Sequence, residues 1–175
     1  MLTYAHNPSV LDLRNRRSGC VLYQKRSDDV DFLFARDTRT GDSTDFGGSP
    51  EVDDDGHRCI IAALRELYEE SYEVMDLKLD DVIQCKCPIV YNDRSFIIFI
   101  PVNIDWFRSN YNSKKRTKVG SRCETNGTVV CSWTKLDGYL SGERSTDLNL
   151  YTTPRDLLIE SREKIQSSIV EWPNV

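Results

Sequence analysis

The run from Ile60 to Ser71 constrains this chain most. Wound as a helix at about 100° per residue, it sets Ile60, Ala63, Leu64, Leu67 and Ser71 along one face. Glu66, Glu69 and Glu70 stack on the other, because neighbours three and four apart lie one turn from each other. Such a stripe must bury against a sheet, which turns the carboxylates toward whatever cleft lies beside it. Three carboxylates in a small patch repel one another unless a cation sits between them. Oxygen-only ligands suit a hard ion such as Mg²⁺, which keeps several waters and takes phosphate as a co-ligand. A solvated acidic helix face carries the same pattern.

The flanks add information. Phe46-Gly47-Gly48 precedes an acidic loop, and its glycines permit a tight turn and close backbone approach. Arg65 stands immediately before Glu66. Together these residues resemble the Nudix hydrolase box, G-x5-E-x7-R-E-U-x-E-E-x-G-U with U aliphatic. Gly48 opens it, and Arg65-Glu66-Leu67-Tyr68-Glu69-Glu70 matches every fixed position of its second half. Two departures stand out. Sixteen residues separate Gly48 from Arg65 where the pattern has thirteen, which places an insertion at Asp53-Asp54-Asp55-Gly56. Counting from Gly48, Asp54 takes the position of the first Glu. The glycine of the box is Tyr72, so the helix is expected to run on toward Met75 instead of stopping at a glycine cap.

The resemblance implies an α/β fold of the Nudix type, an α/β/α sandwich with a mixed β-sheet between helices, as one domain over residues 1–175. Composition agrees with one such domain, at 39% hydrophobic and 29% charged residues. A net charge of −5 argues against a protein built to coat nucleic acid. No apolar run reaches the length of a membrane span, and the N-terminus lacks the apolar segment of a secretory signal. The six cysteines include no C-x-x-C pair and lie mostly in apolar runs, so a reduced, cytoplasmic protein is expected.

Residues 1–17 read as a lead-in with a short strand or helix near Val10 to Leu13. Gly19 to Tyr23 and Val30 to Ala35 are β-prone runs around the turn Ser27-Asp28-Asp29, which predicts a hairpin. The box helix is expected to begin at Asp54 or Asp55, either of which can cap it. Residues 82–91 alternate as a half-buried strand, and Ser95 to Ile104 reads as a central strand with Pro101 near a bulge or edge. Residues 105–127 read as an irregular segment carrying Arg108, Lys114, Lys115, Arg116, Lys118 and Arg122. Such a basic loop either steers a polyanion or is simply solvated. Thr128 to Trp133 is a strand whose exit runs to Leu136, residues 137–152 a polar loop, and residues 154–170 a helix capped by Thr153 with Pro154 at its first position.

As chemistry, the resemblance implies Mg²⁺- or Mn²⁺-dependent hydrolysis of a nucleoside diphosphate linked to another group, a small nucleotide derivative being favoured. The alternatives are a cap-removing enzyme, with RNA as partner, or a catalytically silent nucleotide-binding module. Glu66, Glu69 and Glu70 would hold the ions, with a backbone carbonyl of Gly47 or Gly48. Arg65 would orient the carboxylates, using the contact an ordinary ion pair with Glu69 would use. Glu124 is the candidate general base beyond the box, with Glu143 behind it. For the substrate, Arg36 could meet a phosphate and Lys115 could guide a longer polyanion. A base could stack on Phe46, Tyr23, Phe34, Tyr91 or Phe107. Oligomeric state is not legible.

Overall fold

A hairpin and a parallel neighbour build the centre of the molecule. β2 (Arg17–Lys25) pairs antiparallel with β3 (Val30–Asp37), and β7 (Ser95–Pro101) lies parallel on the other side of β2. The computed structural model describes residues 1–117, 124–143 and 148–174. β1 (Leu2–Tyr4) and β6 (Pro88–Tyr91) extend the sheet beyond β7, so the lead-in supplies an edge strand as well as the short helix α1 (Pro8–Leu11). β4 (Ser43–Thr44) and β8 (Thr125–Ser132) pair with β3, and β5 (Phe46–Gly48) pairs with the first half of β2. The sheet is therefore mixed, and the fold is α/β.

Alternation along the central strands splits the core in two. Cys20, Leu22, Leu33, Ile98 and Ile100 face Ile60, Ala63 and Leu67 of α2 (Cys59–Glu70). Val21, Tyr23, Phe32, Phe34 and Phe99 face the opposite way. There they meet Leu136 of α5 (Trp133–Leu140) and Leu157, Leu158 and Ile165 of α6 (Thr152–Ser168). Trp172, beyond α6, closes this second core edge-on to Tyr23 and Phe32. Helices thus cover both faces of the sheet. None of the helices among the described residues is long and apolar enough to cross a membrane.

Several expected boundaries move. α2 starts at Cys59, not at Asp54 or Asp55, because Asp55, Gly56 and His57 all take left-handed φ values that no right-handed helix accepts. Arg14 braces that turn by donating to the carbonyls of Asp55 and Gly56. α2 also stops at Glu70 instead of running toward Met75. Tyr72 sits at φ 58°, the Tyr72 N–H closes on Glu69 O at 3.1 Å, and the Glu73 N–H closes on Tyr68 O at 2.8 Å. This is the glycine-type helix stop made with a tyrosine. Its strain is offset where the Tyr72 ring meets Tyr111 edge-on and its hydroxyl donates to Thr125 O at 2.8 Å.

The expected strand over 82–91 is shorter, since its first three residues end a helix. α3 (Leu79–Gln84) opens with Asp80 and Asp81, which suit a helix N-terminus, and a turn through Lys86 leads into β6. The basic segment is helical as far as Thr117, and its last residues, Thr125 to Gly127, open β8. α4 (Ile104–Thr117) buries Ile104, Phe107 and Tyr111 at helical spacing, and Asn103 caps it by accepting from the Trp106 N–H at 2.9 Å. Lys118 and Arg122 lie outside the described residues. The exit after β8 is α5, capped by Ser132, so the expected loop loses its first residues to helix. α6 begins at Thr152, after Tyr151 as N-cap, with Pro154 still in its first turn.

Candidate active site

β5 brings Gly47 and Gly48 beside the C-terminal half of α2, and a cavity of about 690 Å³ opens between them. Arg65, Glu66, Glu69, Glu70, Gly47, Gly48 and Glu124 all line it. The contact between β5 and α2 is close enough to demand glycine. A Cβ on Gly47 would stand 2.7 Å from both Gly19 Cα and Ser18 O, whereas one on Gly48 would stand 2.3 Å from Glu66 Oε1. Backbone cannot yield and a glutamate tip can. Gly47→Ala is therefore expected to lower stability by about 1–3 kcal/mol in urea titration. Gly48→Ala should keep most of the stability and displace Glu66.

The three carboxylates differ in setting. At about 100° per residue Glu70 falls nearly in line with Ala63, so it is buried at 6% exposure and does not share the open ridge. Its Oε2 accepts the Gly47 N–H at 2.8 Å. Burial, reinforced by Glu66 and Asp45, pushes its pKa up to about 9 against the opposing pull of the Gly47 N–H and Arg17. Burial also raises Glu66, with Glu69 and Glu124 adding to the effect and Arg65 offsetting part of it. The Glu69 side chain is 55% exposed and meets Arg65 Nη1 at 3.3 Å. Among the described residues no three acidic, histidine or cysteine side chains already converge as a finished metal cage.

Two guanidiniums brace this negative charge. Arg65 Nε donates to Asp54 Oδ1 at 2.9 Å, Nη2 meets Glu66 Oε1 at 2.9 Å, and Nη2 also donates to Ser49 O at 3.1 Å. Asp54 is 2% exposed. It therefore anchors Arg65, the inserted loop folding so that the residue reached by counting from Gly48 is the one that meets the guanidinium. Arg17 is the second. It donates to Asp45 Oδ2 at 2.7 Å and to Gly47 O at 3.1 Å. Burial opposes its charge, but Asp45, Glu70 and Glu66 outweigh that and raise its pKa.

No family model matches the chain. No curated protein matches it either. The site is thus described by its own geometry alone.

Three expected substrate residues lie elsewhere. Arg36 points away from the cavity and donates to Gly41 O, while its neighbours Asp37 and Arg39 line the cavity, because alternate residues of a strand face opposite sides. Phe46 is wholly buried, edge-on to Phe107, and offers no face to a ligand. Lys115 is half-buried near the end of α4 and bonds the Asn126 carbonyl, also off the cavity lining. Glu143 packs back against Gly138 and is not on the lining. Glu124 is on it, its carbonyl accepting the Thr38 N–H at 2.8 Å. Sequence reading missed Arg17, Asp45 and Tyr151. The first two carried a weak signal, Arg17 standing just before the run from Gly19 and Asp45 just before Phe46-Gly47-Gly48.

Proposed function

We propose that this chain is a divalent-metal-dependent hydrolase of the Nudix type, cleaving the phosphoanhydride bond of a nucleoside diphosphate joined to another group, and that it works in the cytoplasm. What carries the reading is the meeting of Arg65, Glu66, Glu69 and Glu70 with Gly47 and Gly48 on one cavity wall. Helices on both faces of a mixed sheet are in keeping with that family's sandwich.

The donor set fits a hard cation. It offers carboxylates and a backbone carbonyl, without sulfur or imidazole among the described residues. Burial, with mutual repulsion added to it, raises the pKa values of Glu66 and Glu70, and a bound cation would favour their charged forms. Glu66, Glu69 and Glu70, with the Gly47 carbonyl, would hold Mg²⁺ or Mn²⁺. The ion supplies neutralisation of phosphate oxygens and polarisation of water. Arg65, held by Asp54 and Ser49 O, fixes the rotamers of Glu66 and Glu69. Arg17 keeps Asp45 and the Gly47 carbonyl in place behind them. Glu124, which lines the cavity from just before β8 and adds to the charge felt by Glu66, would accept a proton from the attacking water.

A release assay tests this with nucleoside diphosphate sugars, dinucleoside polyphosphates and capped RNA, each with Mg²⁺ or Mn²⁺. The expected outcome is metal-dependent release of a nucleoside monophosphate from a small derivative. Metal-dependent binding without turnover on any substrate would point instead to a silent binding module.

A further inference from the structure

We infer that Tyr151 is the platform on which the ligand's flat ring stacks, so that the site selects diphosphates carrying a nucleobase or similar aromatic group. This rests on the hydrolase reading above and assigns the residue that would recognise the nucleoside end of its substrate.

The aromatic residues that the sequence offered for stacking are spent elsewhere. Tyr23, Phe34, Phe46 and Phe107 are fully buried, and Tyr91 lies off the cavity. Three other tyrosines line it: Tyr68, Tyr72 and Tyr151. Tyr72 is engaged with Tyr111 and Thr125. Tyr68 stands on α2 between the carboxylates, where the phosphates would lie. Tyr151 belongs to a different wall and is half exposed.

Its backbone is held from both sides. The Ser43 N–H donates to Asn149 O at 2.7 Å and the Tyr151 N–H to Ser43 O at 2.8 Å. Asn149 Nδ2 reaches Asp42 Oδ1 at 2.6 Å, and Leu150 is buried in the core. A ring carried on so fixed a backbone loses little freedom when a base stacks on it. Ser43 also leads directly through β4 into β5. The four steps from Ser43 to Gly47 span at most about 14 Å. The ring platform and the carboxylate wall are therefore set at opposite ends of one short strand path. Asp37 and Arg39, from the turn closed by Asp37 N–H to Asp42 O, complete the Tyr151 wall.

Calorimetry on the full chain with Mg²⁺, using ADP and inorganic pyrophosphate as probes, tests the assignment. Wild type should bind ADP more tightly than pyrophosphate. Tyr151→Ala and the bulkier Tyr151→Leu should weaken ADP by about five- to a hundredfold, the range of base–aromatic stacking. Both should leave pyrophosphate within twofold, and Tyr151→Phe should retain ADP binding. Pyrophosphate binding that survives in the variants also shows that they are folded. Equal losses on both probes, no loss on ADP, or wild type holding pyrophosphate as tightly as ADP would each overturn the role of Tyr151. Wild type binding neither probe would overturn the hydrolase reading, and this inference with it.

Discussion

Glu69→Gln is expected to lower turnover by about 10²–10³ while the thermal midpoint barely moves. The asymmetry follows from its place. The Glu69 side chain is half in solvent, and Arg65 is among its neighbours at 3.3 Å. Removing an exposed ion pair costs the fold on the order of 0–1 kcal/mol. The same change removes a full negative charge from the wall that would hold the cation. Single-turnover kinetics with the best substrate, beside a melting curve, reads both effects. Turnover equal to wild type would deny Glu69 a part in metal binding.

Glu70→Gln should show the opposite balance, gaining stability as it loses function. The folded protein keeps a proton on Glu70 up to a pKa of about 9, whereas the unfolded chain releases it near the ordinary value of 4.5. Between those values the folded state binds more protons than the unfolded one, so stability falls as pH rises through the window. Below it both states are protonated and the penalty vanishes; above it the penalty is complete. The groups facing Glu70 are Glu66 and Asp45, which sharpen the penalty, and Arg17 with the Gly47 N–H, which soften it. In EDTA, melting scans across this range should therefore slope downward for wild type and more weakly for Glu70→Gln. At pH 8 the variant should be more stable by about 1–3 kcal/mol. It should also lose the stabilisation that Mg²⁺ gives wild type. An identical slope in both proteins would contradict the assignment of Glu70 as the strained carboxylate. A buried ionisable group kept at a cost in stability is what a binding site retains and a purely structural helix discards.

Local pattern carried much of this molecule. The β2–β3 hairpin, the apolar strand β7 and the buried stripe of α2 follow from alternation and helical spacing, since each is fixed by residues close in sequence. The failures share a different cause. α4 hides its stripe of Ile104, Phe107 and Tyr111 among basic residues that read as a loop. Tyr72 stops α2 as glycine would, because Tyr111 and Thr125, far along the chain, hold its ring and hydroxyl. In the site, Arg65 and the carboxylates were legible because they stand on one helix. Arg17, Asp45 and Tyr151 were not, because separate strands and a bridge to Ser43 bring them there. The burial of Glu70 was misjudged within the helix itself. Seven residues on from buried Ala63, it falls within about 20° of that position, and β5 then covers it.

The central claim is that the carboxylates of α2 gather divalent cations at the Gly47 wall. Its most direct test is thermal unfolding of the full chain against rising Mg²⁺, beginning in EDTA. The stability should climb with the logarithm of Mg²⁺ once past the dissociation constant, by about 2.7 kcal/mol at a hundredfold excess. The climb should be lost in Glu66→Gln and Glu70→Gln. A midpoint that stays flat into millimolar Mg²⁺ and Mn²⁺, or that climbs equally in those variants, would contradict it.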